Sequence, residues 1–309
     1  MKKYFLLSLF LLSLLAAQSQ LTYRELSVQY DSAIEYKHLK IIPITRKGPS
    51  DPRPQYLTLA KGIQSGLVTV SERGSASVEN VHWLRINNNS KLPLYISSGE
   101  VIMGGRQDRM VSKDTILVPT GKDQYVSVMC VEEDRWSDKE KKFNYFNFAN
   151  LRLRKVVDQS KNQVSIWREI YSQLDSNGVK SPTLAYAGQR LDKKALLLAE
   201  EYRRYFSNAI KKKRDSSWVG FVCVTGDRII GCDIFDASNI FYDQFEGLVD
   251  GYAEEAIYRG AAVSISDSKV KTYMDKILTD EKSQEAYLKR NGKIFKYDGK
   301  VFHITGFGE

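Results

Sequence analysis

The densest run of residues with chemical reach is Gly104-Gly105-Arg106-Gln107-Asp108-Arg109. It follows the apolar stretch Val101–Met103, where paired glycines allow positive φ and close backbone approach. Guanidiniums at Arg106 and Arg109, with Lys113 nearby and glycine N–H groups beside them, offer convergent donors to a phosphate or carboxylate. The run lacks the Lys-Ser/Thr end of a P-loop and the glycine spacing of a dinucleotide fold. In this reading Gly104, Gly105, Arg106, Gln107, Arg109 and Trp136 bind a small anion, the arginines holding the charge and Trp136 stacking on the ligand. The competing reading is a hairpin turn whose arginines pair with Glu100, Asp108 or Glu132.

Three carboxylates, Glu100, Glu132 and Asp233, are candidates for acid, base or metal-ligand roles, which makes a hydrolase at the same place the alternative function. Arg106, Arg109 and Arg135 offer them salt bridges instead. Cys130 would serve as a thiolate if His82 or an arginine activated it. In the strand pattern Tyr125–Val131, however, it shares a face with Val126 and Val128, which makes it a small buried hydrophobe. By the same alternation His82 shares a face with Leu84 and Ile86 and reads as structural. No Gly-x-Ser-x-Gly elbow or His-Glu-x-x-His is present, and Ser266-Asp267-Ser268-Lys269 reads as a helix cap before Val270. The cofactor is unknown from the sequence, a divalent metal being open in the hydrolase alternative.

Residues 81–136, with others downstream, resemble the ADP-ribosylglycohydrolase- and rhodanese-phosphatase-superfamily-associated protein domain family. The resemblance rests on Gly99-Glu100, on Gly104-Gly105 with Gln107 and Arg109, and on Cys130, Glu132 and Trp136 at the family's spacing. Gln163 and Trp167 match a helical Gln-x-x-x-Trp, and Gly220, Gly231, Asp233 and Phe235 match a late hairpin. It spans roughly residues 25–260. The family carries no established reaction, and its name implies an association with ADP-ribose-processing enzymes, so the ligand it suggests is ADP-ribose-like.

The elements that must hold these residues change texture along the chain. Short β-branched and aromatic runs at Leu67–Val70, Val81–Ile86, Leu94–Ile96, Thr115–Val118 and Tyr125–Val131 are separated by turn-rich segments such as 48–52, 87–90 and 121–123. This pattern predicts an antiparallel, sandwich-like sheet. Around Asn144 the period becomes helical, through Leu153–Ile170, Leu191–Ala209, Phe241–Ala256 and Val270–Leu278. Hairpins are expected across Gly226-Asp227 and Asp298-Gly299. The expected fold is α+β, one domain over 20–309, β-rich over 20–143 and helix-rich over 144–309.

Residues 1–19 read as a signal peptide: Lys2 and Lys3, an apolar run from Phe5 to Ala17, and Ala17-Gln18-Ser19 for cleavage before Gln20. The apolar run is shorter than the roughly 20 residues that span a bilayer, and nothing later is long and apolar enough. The expected location is therefore periplasmic or secreted, with no membrane span after cleavage. Removing that segment lowers the formal charge from +9 to +7. No RNA-binding aromatic motif or zinc-finger spacing accompanies the charge in Lys139–Lys142 or Lys211–Arg214, so nucleic acid is not the expected partner. A small anionic ligand or a protein partner stays open, the latter as an envelope interaction module. The three cysteines leave at least one thiol unpaired within the chain, and Cys223 and Cys232 sit diagonally on one expected sheet face, a poor disulfide geometry.

Overall fold

The computed structural model describes residues 20–48, 54–73, 81–137, 140–213 and 215–308. The expected signal segment 1–19, the turn residues 49–52, Lys139 and Arg214 lie outside the described residues. Among the described residues no helix is long and apolar enough to cross a membrane.

The fold is α+β with a β-rich N-terminal half. That half runs β1 (Leu26–Val28), β2 (Ile34–Tyr36), β3 (Leu39–Arg46), β4 (Leu57–Thr58), α1 (Leu59–Gln64), β5 (Val68–Glu72), β6 (Trp83–Asn88) and β7 (Leu94–Ile96). It continues through β8 (Glu100–Gly105), β9 (Arg109–Val111), β10 (Thr115–Leu117), β11 (Gln124–Cys130) and β12 (Lys141–Phe148). Then follow α2 (Leu151–Ser160), α3 (Gln163–Ser176), α4 (Lys193–Lys213), β13 (Trp218–Thr225), β14 (Arg228–Phe235) and α5 (Ser238–Arg259). The chain closes with α6 (Asp267–Leu278), α7 (Glu281–Asn291), β15 (Gly292–Tyr297) and β16 (Lys300–Phe307).

A six-stranded sheet, ordered β12-β8-β9-β11-β6-β5, faces a small sheet ordered β10-β7-β4. Leu84, Ile86, Ile102, Val111, Val126 and Val128 of the large sheet pack with Leu94, Ile96 and Leu117 of the small one, forming the sandwich core. Side chains alternate along each strand, so Val101 and Met110, the neighbours of Ile102 and Val111, face the other way. There they bury against Leu153, Val157, Ile166 and Ile170 of α2 and α3.

A further, seven-stranded sheet, the second large one, is ordered β1-β3-β13-β14-β16-β15, with β2 also on β3. Helices cover both of its faces, so β13 is buried at every position and reads Trp-Val-Gly-Phe-Val-Cys-Val-Thr, apolar almost throughout. Phe221 faces Phe241, Phe245 and Tyr252 of α5, whereas Val222 faces the side of Val270, Tyr273 and Met274 of α6. Each such fully buried side chain contributes on the order of 1.5–3 kcal/mol. Helix starts are fixed locally: Asn150, Asn162, Ser266 and Asp280 each accept a hydrogen bond from the backbone N–H three residues on.

Several expectations change. β3, absent from the expected strands, pairs with β13 at the centre of the second sheet. β12 carries strand through Phe148, past the expected change of texture, and α7 is an additional helix. A bulge after Cys223 pairs it with Gly231, while Val222 pairs with Cys232. This places Cys223 in the core shared with α5 and Cys232 in the core shared with α6, on opposite faces. All three cysteines are free and buried. His82 is exposed ahead of β6 instead of sharing the buried face of Leu84 and Ile86.

Candidate functional site

The Gly104–Arg109 segment is the turn joining β8 to β9. Gly104 and Gly105 both take positive φ, and a Cβ at Gly105 would collide with Phe143 and Glu72. The Arg109 guanidinium is wholly buried, with Nη2 3.3 Å from Glu72 Oε1 and Nη1 donating to the Gln107 carbonyl at 2.9 Å. Glu72 also accepts from the Arg106 backbone N–H at 2.8 Å. Arg106 donates to the Ser137 carbonyl at 2.6 Å and lies over the Trp136 ring, 5.9 Å from its centroid. Gln107 donates to the Glu133 carbonyl at 3.2 Å.

Glu132 is held the same way. It accepts from the Asp108 backbone N–H at 3.1 Å and from Arg135, which also donates to Asp108 and to the carbonyls of Gly104 and Gly105. The Arg106, Gln107 and Arg109 side chains are thus tied to acceptors within the chain, with Arg109 Nε alone of the Arg109 nitrogens buried without a partner, and none of the cavities described below takes residues 104–109 into its wall. Gln163 clamps the next strand end, donating to the Cys130 carbonyl and accepting from its N–H. Burial pushes the Cys130 thiol up, the wrong direction for a nucleophile.

Asp233 sits in a second buried knot. Arg154 grips both its oxygens at 2.9 and 2.7 Å, Tyr252 and Thr305 donate at 2.8 and 2.7 Å, and His303 Nε2 stands 3.1 Å away. His303 Nδ1 lies 2.6 Å from Asp114. Burial works to raise the Asp233 carboxyl, but Arg154 and His303 outweigh it and hold the group well below the usual carboxylate range. An acid so firmly ionised and so fully partnered is a cross-link between sheet and helix. Glu100 is the opposite case: burial pushes it up to about 8, against Ser97 N–H, Tyr145 and Gln244. It is enclosed and in side-chain contact with Tyr145.

Tyr145 leads to a large cleft. Between β12, α4 and α5 lies a cleft of about 830 Å³, and a pocket of about 70 Å³ shares its residues Phe146, Asn147, Arg203 and Asp250. A bulge between Tyr145 and Asn147 breaks the strand's alternation, so three consecutive side chains line one cavity. On α5, Asp243, Gly247, Asp250 and Glu254 recur every three or four residues and form the opposite wall. Gly247 and Gly251 bring that helix close to the end of β12, where a Cβ would meet the Tyr145 hydroxyl or the Ala149 carbonyl.

Asp250 is the focus. Arg203 Nη1 donates to Oδ2 at 2.7 Å, while Oδ1 is buried with no hydrogen-bond partner. Its side chain is only 9% exposed. Burial pushes the carboxyl up to about 6, although Arg203, Arg190 and Asn147 all favour the charged form. Asn147 likewise buries an unpartnered Oδ1. Four residues along α5, Glu254 accepts from the Tyr186 hydroxyl at 2.6 Å and from Asn150, and burial raises its pKa too. Arg190 stacks on Phe146 at 3.9 Å and makes no ion pair among the described residues. None of the residues expected from the sequence to bind or catalyse lines this cleft. Its only signal is a Gly-x-x-x-Gly, 247–251, inside a largely buried helix that nevertheless carries Asp250 and Glu254.

Among the described residues no group of three His, Cys, Asp or Glu side chains is placed to hold a metal ion. The chain matches the ARG and Rhodanese-Phosphatase-superfamily-associated Protein domain over residues 27–306 and belongs to that family. No curated protein and no solved structure matches it.

Proposed function

We propose that this family member is an exported protein that binds a small, anion-bearing, hydroxyl-rich molecule in the cleft between β12, α4 and α5. The observation that carries the reading is Asp250, whose buried Oδ1 has no partner at the wall of a cleft large enough for a small metabolite. Two acceptor oxygens, Asp250 Oδ1 and Asn147 Oδ1, call for donors such as sugar hydroxyls. Arg190, held flat on Phe146 with no carboxylate of its own, supplies an anion contact, and Arg203 lies beside it. A phosphate-bearing sugar, ADP-ribose included, combines both features. The ligand is thereby assigned to the cleft and not to the Gly104–Arg109 turn, which lines none of the described cavities and whose Arg109 is paired with Glu72. Export rests on the basic, apolar and small-residue pattern of residues 1–19, and N-terminal sequencing of the mature protein tests it.

A second reading, acid–base hydrolysis in the same cleft, is favoured by one observation. Asp250, with a pKa near 6, is poised to accept a proton at neutral pH, and Glu254 lies one helical turn away. Release of product from an ADP-ribose conjugate would then rise with pH through about 6 and be lost in Asp250→Asn. Binding without turnover over that range leaves the first reading alone.

A further inference from the structure

A second concavity lies on another part of the molecule, between the β9–β10 connection, the end of α2, α7 and β15. It encloses about 710 Å³ and draws five lysines to its wall: Lys113, Lys161, Lys289, Lys293 and Lys296. Its three carboxylates are already matched. Asp158 pairs with Lys293 at 3.3 Å, Glu285 pairs with Lys296, and Asp114 lies against His303 at 2.6 Å. Lys293 is further pinned by hydrogen bonds to Ser98 Oγ and the Ser112 carbonyl.

Lys113, Lys161 and Lys289 remain without an ion pair among the described residues. Lys161 caps α2 in a left-handed conformation, and Lys289 lies in the last turn of α7. A helix C-terminus favours a cation there, so neither lysine needs a carboxylate to hold its place. The apolar wall of Leu288, Ile294 and Phe295 lowers the local dielectric and concentrates the field of these charges in the groove.

We propose that this groove is an anion site for clustered phosphate groups, separate from the β12–α5 cleft. Ammonium groups on flexible stems suit phosphate as mobile point charges with several donors each, and three uncompensated charges call for more than one phosphate. The one ring in its wall, Phe295, packs against Tyr95 and Phe302, so the site selects on charge density more than on the shape of a sugar or base.

The experiment is isothermal titration of the protein with inorganic tripolyphosphate at low ionic strength. Wild-type protein is expected to bind saturably at one site, more weakly as salt is raised. The Lys113→Ala/Lys161→Ala/Lys289→Ala variant is expected to lose at least tenfold in affinity. These side chains are exposed and make no ion pairs, so the variant should stay folded and melt within a few degrees of the wild type, the difference being the lost helix-end charges. Lys180→Ala, exposed and outside both cavities, should bind tripolyphosphate unchanged. Co-sedimentation with vesicles containing phosphatidylinositol bisphosphate distinguishes the source. Sedimentation lost in the lysine variant indicates a lipid headgroup, and its absence indicates a free polyphosphate. No saturable binding by the wild type, undiminished binding by the lysine variant, or binding of an oligonucleotide that tripolyphosphate does not displace would each overturn the proposal.

Discussion

Arg109 and Glu72 meet in an ion pair closed to solvent, their side chains 0% and 1% exposed and Nη2 3.3 Å from Oε1. Such a pair is costly to break because its survivor stays buried and charged. Arg109→Ala should therefore destabilise the protein by about 3–5 kcal/mol in urea unfolding. Arg109→Met combined with Glu72→Gln, which keeps an acceptor for the Arg106 N–H, should recover much of that loss. An alanine variant as stable as wild type would show that the turn does not depend on the pair.

Acid should loosen the knot around Asp233. Against burial, His303 and Lys293 bring the Asp114 carboxyl down to about 2, and Arg154 with His303 hold Asp233 lower than usual. Depressed carboxyls contribute stability that is present above about pH 4 and lost as the pH falls toward 2, on the order of 2 kcal/mol for Asp114. Burial opposes the charged form of His303, but Asp114 and Asp233 raise its pKa overall. Its contribution is full below about pH 6.5 and lost as the pH rises through the folded value. Urea midpoints measured against pH should thus fall on both sides, and Asp114→Asn should flatten the acid limb.

Asp250 has the opposite sign. A carboxyl raised to about 6 leaves the protein indifferent below about pH 4 and increasingly destabilised between 4 and 6. Asp250→Asn should raise Tm at pH 7.5, by roughly 2–4 °C for each kcal/mol relieved, and leave it unchanged at pH 4. A variant less stable than wild type at pH 7.5 would mean that the Arg203 contact outweighs the burial cost.

The thiols should be silent in the native state. Cys130, Cys223 and Cys232 are buried and free, and burial pushes Cys232 up to about 12. A thiol-reactive chromophore should titrate none before unfolding and three after it. Fewer than three after unfolding without reductant would reveal a bridge.

Much of this architecture was legible from local patterns. Leu94–Ile96 and the Gly226-Asp227 turn come directly from alternation and turn chemistry. β3 was missed because Leu39–Arg46 is buried on both faces and so shows no alternation. α7 was missed because it buries little besides Gln284 and Leu288. The Gly104–Arg109 turn was found, and its partner Glu72 was not, since 37 residues separate them and only the sheet brings them together. Asp250 was hidden for a related reason: its wall partners Asn147 and Arg203 come from a bulge and a different helix.

The most direct measurement is a thermal-shift and titration panel of ADP-ribose, ribose 5-phosphate, AMP and glucose 6-phosphate. It would compare wild type with Arg190→Ala, Asp250→Asn and the triple lysine variant. The account predicts at least one sugar phosphate that stabilises wild type and the lysine variant alike, with the effect lost in Arg190→Ala and Asp250→Asn. A ligand whose effect survives both cleft substitutions, or no stabilisation by any of the four, would contradict it.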